Sequence, residues 1–242
     1  MKNNIAGIGI SLQKEKERGK ELFKQMETPL LKYGQGMQIL LKELDLNQAL
    51  AKENEEERMQ IEAPEEVRII NPSELSKEEQ EWYWEGLVSA KENKFLALHT
   101  AIMNDAKILI IPQNVTCKVP IKIHSHLKKK AKAETIIIIA EGNSSVQIIE
   151  ESSSEKEAYY KSQVVQVYAR ENAQVEFCSL QNLSQNTYNF VIKRGRAESN
   201  ASIIWKDIAI GGKFTQLHIQ TALICPESRT ESYSGYLGEG EQ

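Results

Sequence analysis

Three stretches, AEGNSSVQII (residues 140–149), ARENAQVEFC (169–178) and AESNASIIWK (197–206), repeat one pattern. Each opens on Ala, passes a polar turn that contains Asn, and runs into strand-like residues. A fourth, CPESRTESYS (225–234), keeps the outline with Cys in place of Ala and Ser in place of Asn. Aligned on the turn, Asn114, Asn143, Asn172, Asn200 and Ser228 stand 29, 29, 28 and 28 residues apart. Three residues before them lie Ile111, Ala140, Ala169, Ala197 and Cys225. Three after lie Cys117, Val146, Val175, Ile203 and Glu231. Five after lie Val119, Ile148, Phe177, Trp205 and Tyr233. A single coil cannot bury its own apolar face, so a solenoid stacks like residues on like. Asn at the turn can bond its own backbone and tolerates left-handed geometry. The expected fold is mainly β: a right-handed β-helix, or flattened β-solenoid, of about five coils with two or more strands each. A sandwich is the alternative, but sandwiches do not need a constant period.

From about residue 105 onward the chain is a run of short Val-, Ile- and aromatic-rich segments separated by Asn, Gly, Ser and Pro. The basic segment HLKKKAKAE (126–134) reads as a charged loop, and Glu150, Glu151, Glu155 and Glu157 as part of a turn. Glu231 falls in an otherwise apolar column near the end of the sequence. An uncapped last coil leaves open backbone donors and acceptors, so a partner or further chain is expected to cover it.

Residues 1–98 read as a helical region with a linker, and 99–242 as the β-helix core. Residues 13–27 carry charges with a sparse apolar face. In 37–59, Met37, Leu40, Leu41 and Leu44 fall on one helical face. The run ENEEER (53–58) reads as a solvated helix end or linker, and IEAPEEVRIINPSEL (61–75) as extended chain. Ser76 followed by Glu79 fits a capping box. The helix it opens is expected to run to about Met103, its Trp and Leu residues serving packing.

Composition adds exclusions. The 242 residues are 40 % hydrophobic and 26 % charged, with a formal net charge of −4, so no general polyanion-binding field and no nucleic-acid partner are expected. No apolar run reaches the ~20 residues of a membrane helix. Three scattered cysteines, 117, 178 and 225, argue against a disulfide framework and for a reducing compartment. Cytoplasmic localisation is expected.

Several segments resemble the SufB/SufD family, the scaffold proteins of SUF-type iron–sulfur cluster assembly. KFLALHTAIMNDAKILIIPQNVTCKVPIKI (94–123) resembles the family's entry into its β-helix, though Asn is commoner there than His99. In VVQVYARENAQVEFCSLQN (164–182) and TYNFVIKRGRAESNASIIW (187–205), Gln181, Asn182, Tyr188, Asn189, Lys193 and Arg194 fall on the family's pattern. ESRTESYSGYLGEGEQ (227–242) resembles the next coil, with Glu231 on a Gly-Glu position, which would make the acidic break a family feature. The resemblance covers residues 90–242 well and the helical region loosely. Family members continue further, through a segment that docks the ATPase SufC and through the Cys and His implicated in cluster building. By that comparison the chain is SufD-like, shorter at its C-terminus, and has Thr221 where SufB-type members often carry Cys. The resemblance implies a non-catalytic scaffold that pairs with SufB-like and SufC-like subunits. It implies no intrinsic cofactor, only a transient iron–sulfur cluster in the assembled complex.

Cys117 and Cys225 occupy inward and small-residue columns and read as buried structural thiols. Cys178 lies opposite Phe177, in a column with Pro120, Ile149, Lys206 and Ser234. It is the thiol expected to be accessible for sulfur transfer or cluster contact, which would need a lowered pKa. His124 and His126, two apart on a strand, share a face and suit metal ligation. Cys117 has the opposite parity and LKKKAK follows them, so they read as exposed loop-edge histidines and no metal site is assigned. His218 has no evident partner. Lys193 and Arg194 could hold phosphate or an acidic partner; the simpler expectation is that they cover the solenoid surface. GIGIS (7–11) and GGK (211–213) lack the rest of a phosphate loop.

Two further function classes are compatible with a solenoid. A β-helix carbohydrate-active enzyme needs carboxylates clustered on one face; the solenoid half has only Asp105 and Asp207 as aspartates, and its densest glutamates fall in the expected turn. A plain structural solenoid would self-associate through its open edge.

Overall fold

The computed structural model describes residues 10–33, 37–39, 43–51 and 58–238. The first expected helix is α1 (Leu12–Gln25), whose N-cap Ser11 hydroxyl accepts from the Lys14 amide. The second expectation fails. Residues 37–39 form a strand, β2 (Met37–Ile39), antiparallel to β1 (Leu31–Tyr33). The helix here is only α2 (Leu46–Ala51). Leu40, Leu41 and most of the ENEEER run lie outside the described residues. The Pro-containing stretch is extended as expected and holds β3 (Gln60–Glu62) and β4 (Arg68–Ile70). The capping box opens α3 (Lys77–Glu79): Ser76 Oγ accepts from the Glu79 amide at 3.2 Å, and the Glu79 carboxylate accepts from the Ser76 amide at 2.8 Å.

That helix does not run on to Met103. It widens into a π-helical turn over Gln80–Trp84 and stops. A new helix, α4 (Lys94–Ile102), starts where Asn93 Oδ1 accepts from the Leu96 amide at 3.0 Å. Every residue of α4 from Phe95 to Ile102 is buried, as a helix enclosed on all sides must be. It packs on α1 and on the solenoid. At Gly19 of α1 an added Cβ would meet the Ala101 backbone nitrogen at 2.4 Å, so only glycine permits this approach.

The coils begin at β5 (Met103–Ile111). Strands β6 (Ile121–Ala140) and β7 (Ser145–Ala169) follow and each pass through a corner. Next come β8 (Gln174–Leu183), β9 (Tyr188–Ala197), β10 (Ser202–Gly211), β11 (Phe214–Leu223) and β12 (Arg229–Leu237). They form a β-solenoid of about five turns with two parallel stacks. One stack holds residues 121–127, 145–153, β8, β10 and β12; the other holds β5, residues 131–140 and 160–169, β9 and β11. The helical region also contributes strands. β3 pairs antiparallel with β6, and β4 with β5, so each lower edge is covered by a short reversed strand. Such covering removes an unpaired edge.

The repeat is physical. Val146 pairs with Val175, and Val175 with Ile203. Asn114, Asn143, Asn172 and Asn200 all take positive φ, from 54° to 63°. Their side chains form a ladder: Asn143 Nδ2 donates to Asn114 Oδ1 at 3.0 Å, Asn172 to Asn143 at 2.9 Å, and Asn200 to Asn172 at 2.8 Å. Replacing Asn172 by Ala should cost about 1–2 kcal/mol, because Ala tolerates the left-handed conformation less well than Asn and two ladder bonds vanish. Asn172→Gly keeps the backbone geometry at ease and should cost less. Urea unfolding of both variants measures the difference; equal losses would rule out the conformational part.

Two columns are corrected at their ends. The fifth left-handed turn residue is Glu227 (φ 60°), not Ser228, so the last coil is one residue short. Thr230 therefore pairs with Ile203, and Glu231 pairs with outward-facing Ile204. Glu231 is no break in the apolar column. At the other end, Ile121, not Val119, lies beside Ile148; Val119 is exposed. The completed column reads Ile121, Ile148, Phe177, Trp205, Ser232. Its side chains swell toward Trp205, and the facing strand makes room at Gly195, where an added Cβ would meet Ile203 Cδ1 at 2.9 Å.

Candidate functional site

Strand alternation places one set of side chains inside the solenoid. Near the Asn turns that set is apolar: Ile138, Val167, Ile148, Phe177 and Trp205 are all buried in one cluster. Farther along the same strands it turns polar. Lys132, Glu134, Glu150, Lys161, Gln163, Gln181, Asn189, Lys193 and Asp207 are all buried. Three ammonium groups and three carboxylates share this stripe, so their formal charges cancel.

The contacts run from coil to coil. Lys132 Nζ lies 2.8 Å from Glu134 Oε1, and the Ser125 hydroxyl donates to Glu134. Lys161 Nζ is 3.9 Å from Glu134 Oε2. Glu150 accepts from the Gln163 amide and from the Ser152 hydroxyl, the latter at 3.0 Å. Asn189 Nδ2 donates to Gln181 Oε1 at 2.8 Å. Lys193 Nζ donates to Asp207 and, at 3.1 Å, to Ser179 Oγ, which itself donates to Asp207 at 2.5 Å. The Lys193 ammonium also lies 4.5 Å from the Phe177 ring centre. Burial pushes the Lys161 pKa down, against the pull of Glu134 and Glu150. A buried network of this kind fixes the packing of adjacent coils.

Several expectations are overturned here. HLKKKAKAE is no loop: β6 runs through it and sends Lys132 and Glu134 inward. Glu150, Glu151, Glu155 and Glu157 lie on β7, not in a turn. Lys193 does not cover the surface; it is fully buried. Arg194 does face outward and pairs with Glu92 at 3.2 Å. The interior position of Lys193 could have been read from the sequence, since it stands four residues before inward Ala197 in one strand.

The three cysteines are free and half-buried. Cys117 packs against the apolar interior. Cys178 lies on the outer face, paired in register with Ile149 and Lys206. Its thiol donates to Glu176 Oε1 at 3.4 Å. Burial, with Glu176 second, pushes its pKa up to about 11. The thiol therefore stays protonated near neutral pH, the opposite of an activated nucleophile. Alkylation of Cys178 by iodoacetamide, followed by peptide mass spectrometry, should speed up about tenfold per pH unit from neutrality toward pH 10. A plateau near pH 8 would contradict the raised value.

His124 and His126 lie on β6, not at a loop edge, and both face outward. His124 Nδ1 is 3.3 Å from Glu151, and His126 Nε2 is 3.4 Å from Glu155. They line a cleft of about 520 Å³ with Arg58, Gln60, Glu151 and Asn182. Among the described residues no group of three His, Cys, Asp or Glu side chains is placed to hold a metal ion. His218 lies on β11 and is exposed. His99, by contrast, is buried against the solenoid. Its Nδ1 lies 2.8 Å from Ser162 Oγ and its Nε2 2.9 Å from Thr135 Oγ1.

The upper edge of the stacks has a different character. All of β12 is exposed, including Tyr233, Tyr236 and Leu237, and Leu223 and Ile224 are exposed beside it. No helix of the described residues is long and apolar enough to cross a membrane.

Residues 123–242 match the family described as "SUF system FeS cluster assembly, SufBD core domain". The chain is also similar to iron–sulfur cluster assembly SufBD family proteins of Staphylococcus epidermidis, Staphylococcus haemolyticus and Staphylococcus aureus. Each is 26 % identical over 164 residues, which is 66 % of this chain and 35 % of the relative. The chain thus spans about a third of the length of these relatives.

Proposed function

Because the chain belongs to the SufB/SufD family, as the core-domain match over residues 123–242 shows, we propose that it is a non-catalytic scaffold subunit of a SUF-type iron–sulfur cluster assembly complex. In this reading it works in the cytoplasm beside a SufB-like subunit and a SufC-like ATPase. The partners supply ATP hydrolysis and sulfur, and the cluster is cargo. The observation that carries the reading is the position of the family match on the stacked coils. Two features support it. The charge-balanced interior links adjacent coils by ion pairs and hydrogen bonds. The exposed β12 edge, with Tyr233, Tyr236 and Leu237, offers backbone groups and apolar side chains to a neighbouring strand.

The test is affinity purification of the tagged native gene product from cells that co-express SufB-like and SufC-like proteins. Stable co-elution of both is expected, together with reduced iron–sulfur enzyme activity when the gene is deleted. Absence of both effects would remove the reading. The exposed edge also favours a second one, self-association. Sedimentation of the purified chain separates the two, since a self-associating solenoid forms dimers without any added partner.

A further inference from the structure

Four of the interior polar atoms that have no hydrogen-bond partner in the protein fall in one layer: Lys161 Nζ, Glu150 Oε2, Gln163 Oε1 and Asn189 Oδ1. All four residues are fully buried. Strand register makes them neighbours. Lys161 pairs with Lys132 below and Asn189 above, and Gln163, two residues along the same strand, pairs with Glu134. Glu150 reaches in from the opposite stack and is held there by the Gln163 amide. That bond fixes the amide's orientation and turns its oxygen away from the carboxylate.

The inventory is complementary. An ammonium has three donors and no acceptor, while the other three atoms are acceptors only. Yet the ammonium is 3.9 Å from Glu134 Oε2, beyond hydrogen-bond range. Leaving a buried polar group unmet costs about 1–3 kcal/mol. Four in one layer would be a heavy burden on a domain of ordinary stability.

We infer that this layer is a buried hydration site, in which ordered waters, at least two of them, accept from Lys161 Nζ and together donate onward to Glu150 Oε2, Gln163 Oε1 and Asn189 Oδ1. Charge decides for water over an ion. The stripe's three ammonium groups are already matched by three carboxylates, so a bound anion would add an uncompensated negative charge beside Glu134 and Glu150. A metal cation would face Lys132, Lys161 and Lys193. Neutral water, which donates and accepts and usually makes about three bonds when buried, fits both the charge and the inventory. The layer then ties two successive coils, residues 145–169 and 174–197, together through solvent, where the apolar half of the interior ties them by packing.

A high-resolution crystal structure of the chain tests this directly. Expected are solvent peaks within about 2.7–3.2 Å of Lys161 Nζ and of at least one of the three oxygens. A direct Lys161–Glu150 contact with no solvent peak would overturn the inference, as would a peak that bromide replaces on soaking. In solution, lysine-selective ¹⁵N labelling should show a slowly exchanging ammonium signal with a cross-relaxation peak to a long-lived water. Lys161→Arg assigns that signal by removing it. An ammonium signal assigned to Lys161 that shows no contact with water would count equally against the site.

Discussion

Lys193→Met should lower the free energy of unfolding by about 3–5 kcal/mol, the usual loss when one partner of a buried ion pair is removed. The geometry explains the size. Asp207 would keep only the Ser179 hydroxyl at 2.5 Å, in a site closed off by Phe177 and Trp205. Water cannot replace the missing ammonium at so little cost as it would on the surface. The second variant makes the argument specific. Lys193→Met combined with Asp207→Asn removes the orphaned charge while the amide can still meet Ser179, so most of the loss should return. Urea unfolding followed by tryptophan fluorescence reads both, since Trp205 lies in the same layer. A Lys193→Met protein within about 1 kcal/mol of the parent would mean that the ion pair does not hold the stack. A double variant no better than the single would assign the loss to volume and packing instead.

The position of Lys193 shows what could be read from the chain and what could not. The period was visible because the turn Asn residues have a local reason to recur: each needs a left-handed residue, and each bonds the next. The apolar columns follow once the turns are aligned. The interior stripe is not legible in this way, because charged side chains are rarely buried. Lys132, Lys161 and Lys193 sit at inward parity, but nothing local marks an inward lysine except its spacing from a known inward residue. Glu231 shows the opposite failure. A one-residue shortening at Cys225–Glu227 reverses which of two neighbours faces inward, and pattern alignment with a fixed offset cannot detect it. In the helical region, Met37, Leu40, Leu41 and Leu44 mimic a helical face, yet Met37–Ile39 pairs as a strand with Leu31–Tyr33. The break before α4 did have a signal, the capping residue Asn93. The short strands β3 and β4 read only as extended chain, because their pairing partners lie 38 to 64 residues away. Of the candidate site residues, Cys178 was placed on the correct face. Its raised pKa depends on Glu176, two residues back in the same strand, and on how deeply the thiol is buried. Burial is a property of the folded coils that sequence spacing does not carry.

His99 should make the protein measurably acid-sensitive. Burial, and secondarily the Lys161 ammonium, push its pKa down to about 3, against about 6.5 in an unfolded chain. Between those values the unfolded state binds a proton that the folded state refuses. Stability therefore rises with pH across this window, is fully present above about pH 6.5, and is lost as pH falls toward 3. At pH 5 the loss from this one group is about 2 kcal/mol, from 1.36 kcal/mol per pH unit. The structural reason is that both ring nitrogens are already committed, one to Ser162 and one to Thr135. Hydroxyls can serve a neutral ring by donating to one nitrogen and accepting from the other, whereas an imidazolium would be opposed by the Lys161 ammonium. His99→Gln keeps a polar group that can meet a hydroxyl and cannot titrate. It should cost stability at pH 7.5 through imperfect packing and yet flatten the pH dependence, so the two unfolding curves converge on acidification. Comparing unfolding free energies of parent and variant at pH 7.5, 6 and 5 isolates the histidine from every other group that titrates in both proteins. If the gap between them stays constant over that range, His99 is either protonated in the folded state or solvated, and its burial between α4 and the second stack is wrong.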